Sequence, residues 1–332
     1  MLHRLITTAA AVACLTACTA SETQKANSVQ MSEPASDAQQ MNTKPEAQMA
    51  PSPSRINAQL IEIEAFKSTY IQPRNITIWL PDGYLTYSGE RYPVIYAHDG
   101  QNLFEPGNSY GGVEWGLDET AERMMRAGDL PPAIIVGIWN TDKRWHEYAP
   151  QKVLERMDLS AGSAWAGEGT PELLGDAYLK FIVEELKPYI DSTYETAPDA
   201  QNTMIMGSSM GGLISLYSAA EYPETFGRAA AVSIHWPLAE PEGAIAAGAD
   251  AAMQAYLSEA SLDPSTQRLW FDNGTETLDQ FYPPHAAVME TWFRAQGWND
   301  TQAVFKTYEG TEHSETAWAA RADDILSFLL SD

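Results

Sequence analysis

The sequence predicts a doubly wound α/β domain, because short apolar segments alternate with helical patterns along most of its 332 residues. Six of the segments are apolar over nearly their whole length, which is typical of strands buried on both faces of a parallel sheet. The sequence contains no internal repeat of 20–50 residues, so a repeat protein is not indicated. The length fits one large domain of this class.

The first two predicted strands, at 61–66 and 75–80, differ from the six that follow. In the second, Ile76, Ile78 and Leu80 occupy every other position, and the turn sequence Pro81-Asp82-Gly83 follows. This pattern predicts that the chain enters the sheet through a pair of antiparallel strands. The remaining strands are predicted at 93–97, 133–139, 203–206, 229–234, 268–271 and 303–308.

Helical periodicity separates these later strands, as a parallel sheet requires of its crossover connections. The segment between residues 140 and 171 shows no such pattern and is predicted to be a long loop at the rim of the sheet. Helices are predicted at 117–127, 172–190, 211–221, 249–259, 284–296 and 315–330.

Composition and charge exclude several classes of protein. Hydrophobic residues make up 44% and aromatic residues 10% of the chain, which excludes a disordered, collagen-like or coiled-coil protein. The 20 Lys and Arg residues face 45 Asp and Glu residues, for a net charge of −25. Such a chain repels phosphate backbones, so nucleic acid is not an expected partner.

The N-terminal residues predict export. His3 and Arg4 precede an apolar run at 5–15 that is too short to span a bilayer and is typical of a signal peptide. The run ends in Leu-Thr-Ala-Cys at 15–18, which resembles the lipobox of bacterial lipoproteins and implies lipidation of Cys18. The expected location is therefore a lipid anchor in the cell membrane or outer membrane, facing the periplasm or the exterior. Cleavage after Ala20 is the alternative, and it would release a soluble protein.

Three segments with different compositions are predicted. Residues 1–17 form the signal peptide, residues 18–54 a disordered linker, and residues 55–332 the catalytic domain. Residues 21–54 contain no Phe, Trp, Tyr, Ile or Leu, so they cannot bury enough surface to fold. With Cys18 lipidated and Cys14 removed with the signal, the folded domain holds no cysteine, which excludes disulfides, thiol nucleophiles and zinc–thiolate sites.

A candidate nucleophile follows the predicted strand at 203–206. Residues 207–211 read Gly-Ser-Ser-Met-Gly, the G-x-S-x-G pattern, and a helical segment comes next. A sharp strand-to-helix turn brings the residues two positions either side of the nucleophile close together, and Gly207 and Gly211 suit that approach. Ser209 is therefore predicted to stand exposed at the apex of the turn.

A serine hydroxyl needs a base, and the base needs an orienting acid. His313 follows the last predicted strand, where open α/β sheets place their sites, and gives the chain order of serine, acid and histidine. The acid is expected after the strand at 268–271, where Asp272, Glu276 and Asp279 are available. Spacing does not choose between them, and we prefer Asp279 with Glu276 as the alternative.

The strand at 93–97 ends in a further glycine-containing loop. Acyl transfer requires N–H donors where the oxyanion forms. Met210, directly after the nucleophile, is one expected donor, and Gln101 is the other, with Gly100 as its alternative. His98 suggests a rival chymotrypsin-like order with Asp118 and Ser209, which the strand–helix alternation contradicts.

Several segments together carry a family resemblance. They are residues 96–104, Arg144 with residues 147–150, residues 207–212, Gly274-Thr275 with Asp279, and His313-Ser314-Glu315 before Trp318. Over roughly residues 57–330 they resemble the "Putative esterase" family of α/β-hydrolases, which includes bacterial feruloyl esterases and siderophore esterases of the enterobactin type.

This resemblance implies an eight-stranded sheet, a serine hydrolase mechanism, and no metal or organic cofactor. It places the nucleophile at Ser209 and the base at His313. In feruloyl esterases the acid commonly stands three residues after the glycine of the Gly-Thr pair. That position is Thr277 here, so the choice of Asp279 departs from the pattern.

The expected activity is hydrolysis of a carboxylic ester through a Ser209–His313–Asp279 triad and an acyl-enzyme. Four tryptophans lie just after predicted strands or in the loops that follow, and about two of them are expected at the substrate cleft: Trp115, Trp139, Trp145 and Trp236. Of these, Trp115 and Trp236 are selected as the expected substrate-binding residues. The substrate is expected to be a small-molecule or glycan ester, such as a feruloyl or acetyl polysaccharide ester or a siderophore ester. A serine peptidase of the same fold and a catalytically silent surface lipoprotein are the alternatives. Arg144 and Glu147 either contact substrate or form an internal ion pair.

Overall fold

The computed structural model of the protein describes residues 54–55, 58–86, 88–159, 172–243 and 245–331. These residues all belong to the unit Ala50–Asp332. The predicted signal peptide, Cys18 and nearly all of the predicted linker lie outside the described residues.

An eight-stranded sheet forms the centre of the molecule, and its strands run in the order β10-β9-β8-β7-β5-β6-β3-β2. All neighbouring pairs from β6 to β10 are parallel, whereas β3 is antiparallel to both β2 and β6. A two-stranded antiparallel pair, β1 with β4, lies outside this sheet. The strands are β1 Ser54–Arg55, β2 Gln59–Phe66, β3 Arg74–Leu80, β4 Leu85–Thr86, β5 Val94–His98, β6 Ile134–Ile138, β7 Thr203–Ser208, β8 Arg228–Val232, β9 Arg268–Asn273 and β10 Ala303–Thr307.

The predicted mostly parallel α/β fold is confirmed, and so are the antiparallel strands with which the sheet begins in the chain. Each of the eight predicted strands overlaps one strand of the sheet. The apolar runs are found in the central strands because both of their faces are covered, so side chains alternate between two cores. In β5, for example, Tyr96 packs into one core while Ile95 and Ala97 pack into the other.

Helices cover both faces of the sheet. Residues of α6, α7 and α8 contribute to the core on one face, and residues of α1 and α10 contribute to the core on the other. The helices are α1 Leu117–Ala127, α2 Arg144–Glu147, α3 Gln151–Leu154, α4 Gly175–Lys180, α5 Lys187–Thr193, α6 Met210–Glu221, α7 Ala246–Glu259, α8 Tyr282–Ala295, α9 Glu315–Ala319 and α10 Ala322–Leu330. A π-helical turn, Phe181–Leu186, joins α4 to α5.

The helices differ from their predictions in three places, and the first is the π-helical turn that interrupts the helix predicted at 172–190. The part of the long rim loop that the structure describes contains two single-turn helices, α2 and α3. The helix predicted at 315–330 is divided into α9 and α10, because Arg321 leaves helical geometry with φ −119° and ψ 11°. Its side chain turns into the core and pairs with Asp272.

No helix in the described ranges combines the length and the apolar character that crossing a bilayer requires. The carboxyl ends of β5, β7, β8, β9 and β10 lie along one edge of the sheet, as parallel strands require. The loops that follow these ends carry the predicted site residues.

Candidate active site

Ser209 occupies a strained turn between β7 and α6. Its φ of 58° and ψ of −118° lie outside the regions that L-residues normally adopt. Backbone hydrogen bonds hold the turn in place. The Ser209 N–H donates to the carbonyl of Val232 on β8 (2.9 Å), and the Ser209 carbonyl accepts from the N–H of Gly212 (3.0 Å). A Cβ at Gly207 would lie 2.9 Å from the carbonyl carbon of Gly211, so glycine is required there, as the G-x-S-x-G pattern predicted.

His313 lies on the loop between β10 and α9, and its Nδ1 is 2.5 Å from Asp279 Oδ1. Asp279 is fully buried in a 3₁₀ turn, Thr277–Phe281. Its other oxygen, Oδ2, accepts hydrogen bonds from the Ser233 hydroxyl (2.6 Å) and the Gly274 N–H (2.5 Å). Burial alone would raise the pKa of Asp279, but its donors and the charge of His313 outweigh burial and lower it.

The other two candidate carboxylates have different surroundings. Asp272 is buried and forms an ion pair with Arg321 (2.8 Å), and it also accepts from the Trp270 indole N–H (2.7 Å). Burial raises its pKa in spite of the arginine. Glu276 is exposed to solvent. Of the three carboxylates, Asp279 is the one hydrogen-bonded to His313.

Thr277 stands where feruloyl esterases commonly carry the acid, and it contacts His313 in another way. Its hydroxyl accepts the backbone N–H of His313 (2.8 Å). Its φ of 51° is unusual for a β-branched residue. The threonine therefore holds the backbone of the His313 loop, while Asp279 binds the imidazole.

A cavity of about 500 Å³ opens beside Ser209 and His313. Its volume suits a small-molecule ligand or one end of a larger one. Tyr110 and Trp145 are its most exposed aromatic residues, at 82% and 45% exposure. The lining residues are Asp99, Gln101, Asn102, Tyr110, Asn140, Arg144, Trp145, Ser208, Ser209, His313, Glu315 and Trp318.

The two predicted oxyanion donors lie in the first turns of helical segments. Met210 is the first residue of α6, and Gln101 lies in a 3₁₀ turn, Gly100–Asn102, where N–H groups have no partner within the helix. The turn packs tightly on β6, since a Cβ at Gly100 would lie 2.5 Å from the carbonyl carbon of Gly137. The Gln101 side chain accepts the Asn140 N–H (3.1 Å) and so holds the turn against the neighbouring loop.

The predicted substrate-binding residues Trp115 and Trp236 do not line this cavity. Both are buried: Trp115 packs against Trp318, and Trp236 packs against Phe271. Of the four candidate tryptophans, Trp145 lines the cavity, together with Trp318. The direction of a loop side chain depends on tertiary packing, so position after a strand was not sufficient to identify the lining residues.

Arg144 and Glu147 belong to two separate ion pairs. Arg144 binds Asp99 through two hydrogen bonds (2.7 and 2.8 Å) and also lines the cavity. Burial alone would raise the pKa of Asp99, but the charge of Arg144 and the hydrogen bonds from Arg144 and Asn140 together outweigh burial and lower the pKa. Glu147 binds Arg74 through bonds of 2.6 and 3.0 Å, and both side chains are 1% exposed.

Two further histidines are buried near the site. His98 is 2.8 Å from the Tyr178 hydroxyl and does not line the cavity, and burial lowers its pKa to about 3. His235 lies 2.9 Å from the carbonyl of Ala239 through Nε2 and 2.7 Å from the Tyr282 hydroxyl through Nδ1. Burial lowers the pKa of His235 to about 4. Both histidines therefore remain neutral in the folded protein near pH 7.

Several residues around the triad candidates could not be identified from local sequence patterns. Tyr282, at the start of α8, interacts with the Ser209 hydroxyl as well as with His235. Ser233 and Arg321 lie behind Asp279 and His313. Among the described residues, no group of three or more His, Cys, Asp or Glu side chains is arranged to hold a metal ion.

Comparisons with known proteins identify the family of the chain. The model of the family described as "Putative esterase" matches residues 68–329. An uncharacterized protein of Bacillus subtilis, YbbA, is 29% identical over 263 residues, which cover 77% of this chain and 92% of that protein.

Solved structures share the fold at low sequence identity. A ferulic acid esterase superimposes with a TM-score of 0.57 at 20% identity, covering 83% of this chain and 99% of that one. The enterobactin esterase FES of Shigella flexneri superimposes with a TM-score of 0.60 at 17% identity, covering 82% of this chain and 58% of that one.

Proposed function

The chain belongs to the "Putative esterase" family and is a carboxylic ester hydrolase, and from this premise we propose that it acts through a Ser209–His313–Asp279 triad. The observation that carries the proposal is the joint position of Ser209 and His313 on one cavity, with Asp279 hydrogen-bonded to the far side of the imidazole. In space, the base thus stands between the nucleophile and the acid, as acyl transfer requires.

Each group has a defined task in the proposed reaction. Ser209 Oγ attacks the ester carbonyl, and His313 takes its proton through Nε2, because Nδ1 is bonded to Asp279. The N–H groups of Met210 and Gln101 stabilise the oxyanion. His313 then protonates the departing alcohol, and water hydrolyses the acyl-enzyme by the same steps. Asp279 keeps the imidazole in the required tautomer.

For the substrate we propose a feruloyl or acetyl polysaccharide ester, with siderophore esters as the second class. The similar structures named ferulic acid esterase and enterobactin esterase support these classes. The exposed Tyr110 and Trp145 support an aromatic or sugar group at the mouth of the cavity. The net charge of −25 favours a neutral substrate over a polyanion.

We also propose that the enzyme is exported and held to a membrane by a lipid on Cys18. The support for this part is the signal-like segment at 5–15 and the lipobox-like sequence that follows it.

Ser209→Ala tests the proposed chemistry. We expect kcat/KM for a short-chain nitrophenyl ester to fall at least about 10³-fold, because the acyl-enzyme can no longer form. A fluorophosphonate probe should label the wild-type chain and fail to label this variant.

Ser208→Ala is the matched comparison, since Ser208 is the neighbouring serine on the cavity wall. This variant should still be labelled, at Ser209. Labelling of Ser208 in the Ser209→Ala variant, or activity within tenfold of wild type, would contradict the proposal. Assaying wild type on methyl ferulate, acetylated xylan, a catecholate triester and a peptide panel tests the substrate classes.

A further inference from the structure

Ser233 is a buried polar residue at the centre of the site for which the proposed reaction has no use. It directly follows β8, has no exposed surface, and adopts a φ of 40°. Its backbone N–H donates to Asp272 Oδ1 (2.8 Å). A non-glycine residue in this conformation is uncommon, and the surrounding contacts must hold it there.

The direction of the Ser233 hydroxyl proton follows from its partners. Arg321 Nη2 lies 2.6 Å and Trp318 Nε1 lies 3.0 Å from Ser233 Oγ, and both of these groups can only donate. A serine hydroxyl has two lone pairs and one hydrogen. Both lone pairs are therefore occupied, and the hydrogen must point to the remaining partner, Asp279 Oδ2, at 2.6 Å.

Arg321 anchors this arrangement from the other side. Its Nη2 also donates to Asp272 Oδ1 (2.8 Å), and both side chains are almost completely buried. The guanidinium lies over the Tyr308 ring, 4.8 Å from its centroid. A buried cation bonded to a buried carboxylate and to Ser233 therefore stands behind Asp279.

We infer that Ser233 and Arg321 are positioning residues, which clamp Asp279 Oδ2 so that Asp279 Oδ1 is presented as an ionised acceptor to His313. This inference deepens the proposed function and rests on it. The clamp divides the two oxygens of Asp279 between two tasks: Oδ2 is held by Ser233 and Gly274, and Oδ1 holds the imidazole. Trp318 contacts both the clamp and the imidazole. Its indole N–H donates a hydrogen bond to Ser233, and its ring packs edge-on against the His313 ring with the centroids 5.0 Å apart.

The charged and titratable groups that face this pair come from several elements. Asp272 approaches from the next-to-last position of β9, Tyr282 from α8, and Arg321 from the junction of α9 and α10. Glu315 and His235 interact electrostatically with His313. Loss of the clamp hydroxyl or of the guanidinium charge would leave more negative charge beside the imidazole, which favours its protonated form.

Ser233→Ala and Arg321→Gln test the inference in the full chain. We expect kcat per labelled active site to fall about 10- to 100-fold with KM within about twofold, because acid–base catalysis is impaired while substrate contacts are kept. The acid limb of the pH–rate profile should move up by about 0.5–1 pH unit, as should the midpoint of the His313 ring titration followed by ¹⁵N NMR. Arg321→Lys keeps the charge, so its acid limb and His313 midpoint should stay close to the wild-type values.

Two further variants separate positioning from folding. Ser233→Gly removes the hydroxyl but tolerates a φ of 40°, so it provides the measurement if Ser233→Ala does not fold. Arg228→Gln removes another buried arginine, which bonds the carbonyl of Leu329 and lies outside the cavity lining. It should lower the unfolding temperature and leave both the acid limb and the NMR midpoint unchanged.

The inference is overturned if the Ser233 and Arg321 variants change only the unfolding temperature, as Arg228→Gln is expected to do. The NMR titration does not depend on turnover. Absence of esterase activity in the wild type would therefore reject the proposed function, while an unmoved His313 midpoint in the variants would separately reject the clamp.

Discussion

Asp272, Glu276 and Asp279 show how environment assigns different roles to three carboxylates on one short segment. Asp272 neutralises a buried arginine, Glu276 is solvated, and Asp279 accepts from the imidazole and two further donors. A buried carboxylate is stable as an ion only with such partners. The proposed acid is therefore the carboxylate whose burial is compensated by donors and which is in contact with the base.

Asp279→Asn is expected to lower kcat by about 10³- to 10⁴-fold, because an amide no longer selects the imidazole tautomer that can accept the Ser209 proton. Glu276→Gln, its matched control on the same segment, should stay within about twofold of wild type. Steady-state kinetics normalised to active sites by probe labelling measure both. A larger loss in the Glu276 variant than in the Asp279 variant would reject the assignment.

Candidate residues were predictable where a local pattern implies them. Ser209 was identified as the candidate nucleophile because its turn needs glycines at fixed positions, and His313 as the candidate base because of its strand end and chain order. Trp145 was one of four candidate cleft tryptophans, but which of the four reaches the cavity, and that Trp318 joins it, depends on how distant loops pack. The same holds for Ser233 and Arg321, which are 88 residues apart in sequence.

At the scale of elements, the site depends on a close crossing between the turn after β5 and strand β6. Gly137 of β6 pairs with Ala97 of β5, and Gly100 lies directly against Gly137. Neither glycine can carry a side chain here: a Cβ at Gly137 would lie 2.9 Å from the Phe104 ring. This contact holds the turn that carries Gln101 close against β6.

Gly100→Ala is expected to destabilise the protein by about 1–3 kcal/mol, because the added methyl group meets backbone atoms that cannot move aside. It should also lower kcat by about 10-fold or more, since the displaced Gln101 amide no longer meets the oxyanion. Urea unfolding and steady-state kinetics measure the two effects.

Gly107→Ala is the control, because a Cβ at Gly107 would meet nothing within 4 Å. Its effect on stability should be within about 0.5 kcal/mol. Equal effects of the two substitutions would contradict the close-crossing explanation.

Elements with strong periodicity were predicted, and those held by tertiary contacts were not. The eight strands of the sheet were recognisable because their side chains must match a two-sided core. Helices α2 and α3 are single turns too short to produce a pattern. The division between α9 and α10 occurs where Arg321 binds Asp272, a partner on another element.

At the scale of the whole molecule, acidity is concentrated in the predicted catalytic domain. Residues 1–54 hold three basic and four acidic residues, so the remaining 278 residues carry −24 of the −25 net charge. Some of this charge is compensated by surface ion pairs such as Arg123–Asp323, which contribute about 0–1 kcal/mol each. The excess of like charge acts against the compact state.

Raising NaCl from about 20 to 300 mM at pH 7 is expected to raise the unfolding temperature by a few degrees, because screening weakens net repulsion more than it weakens the surface pairs. Differential scanning calorimetry provides the measurement. Near the isoelectric point, about 4.5, the same salt step should have little stabilising effect. An unfolding temperature that falls with salt at pH 7 would show that surface ion pairs outweigh the repulsion.

The sequence by itself determined the α/β class, the order of strands and helices, and the candidate nucleophile and base. These features are encoded locally, in the spacing of apolar residues and in the glycines around Ser209. The tertiary structure alone decided which carboxylate meets His313, which tryptophans line the cavity, and how Ser233 and Arg321 stand behind Asp279. Those contacts join residues far apart in the chain, and burial, side-chain direction and hydrogen-bond partners exist only once the strand ends have been brought to one edge of the sheet.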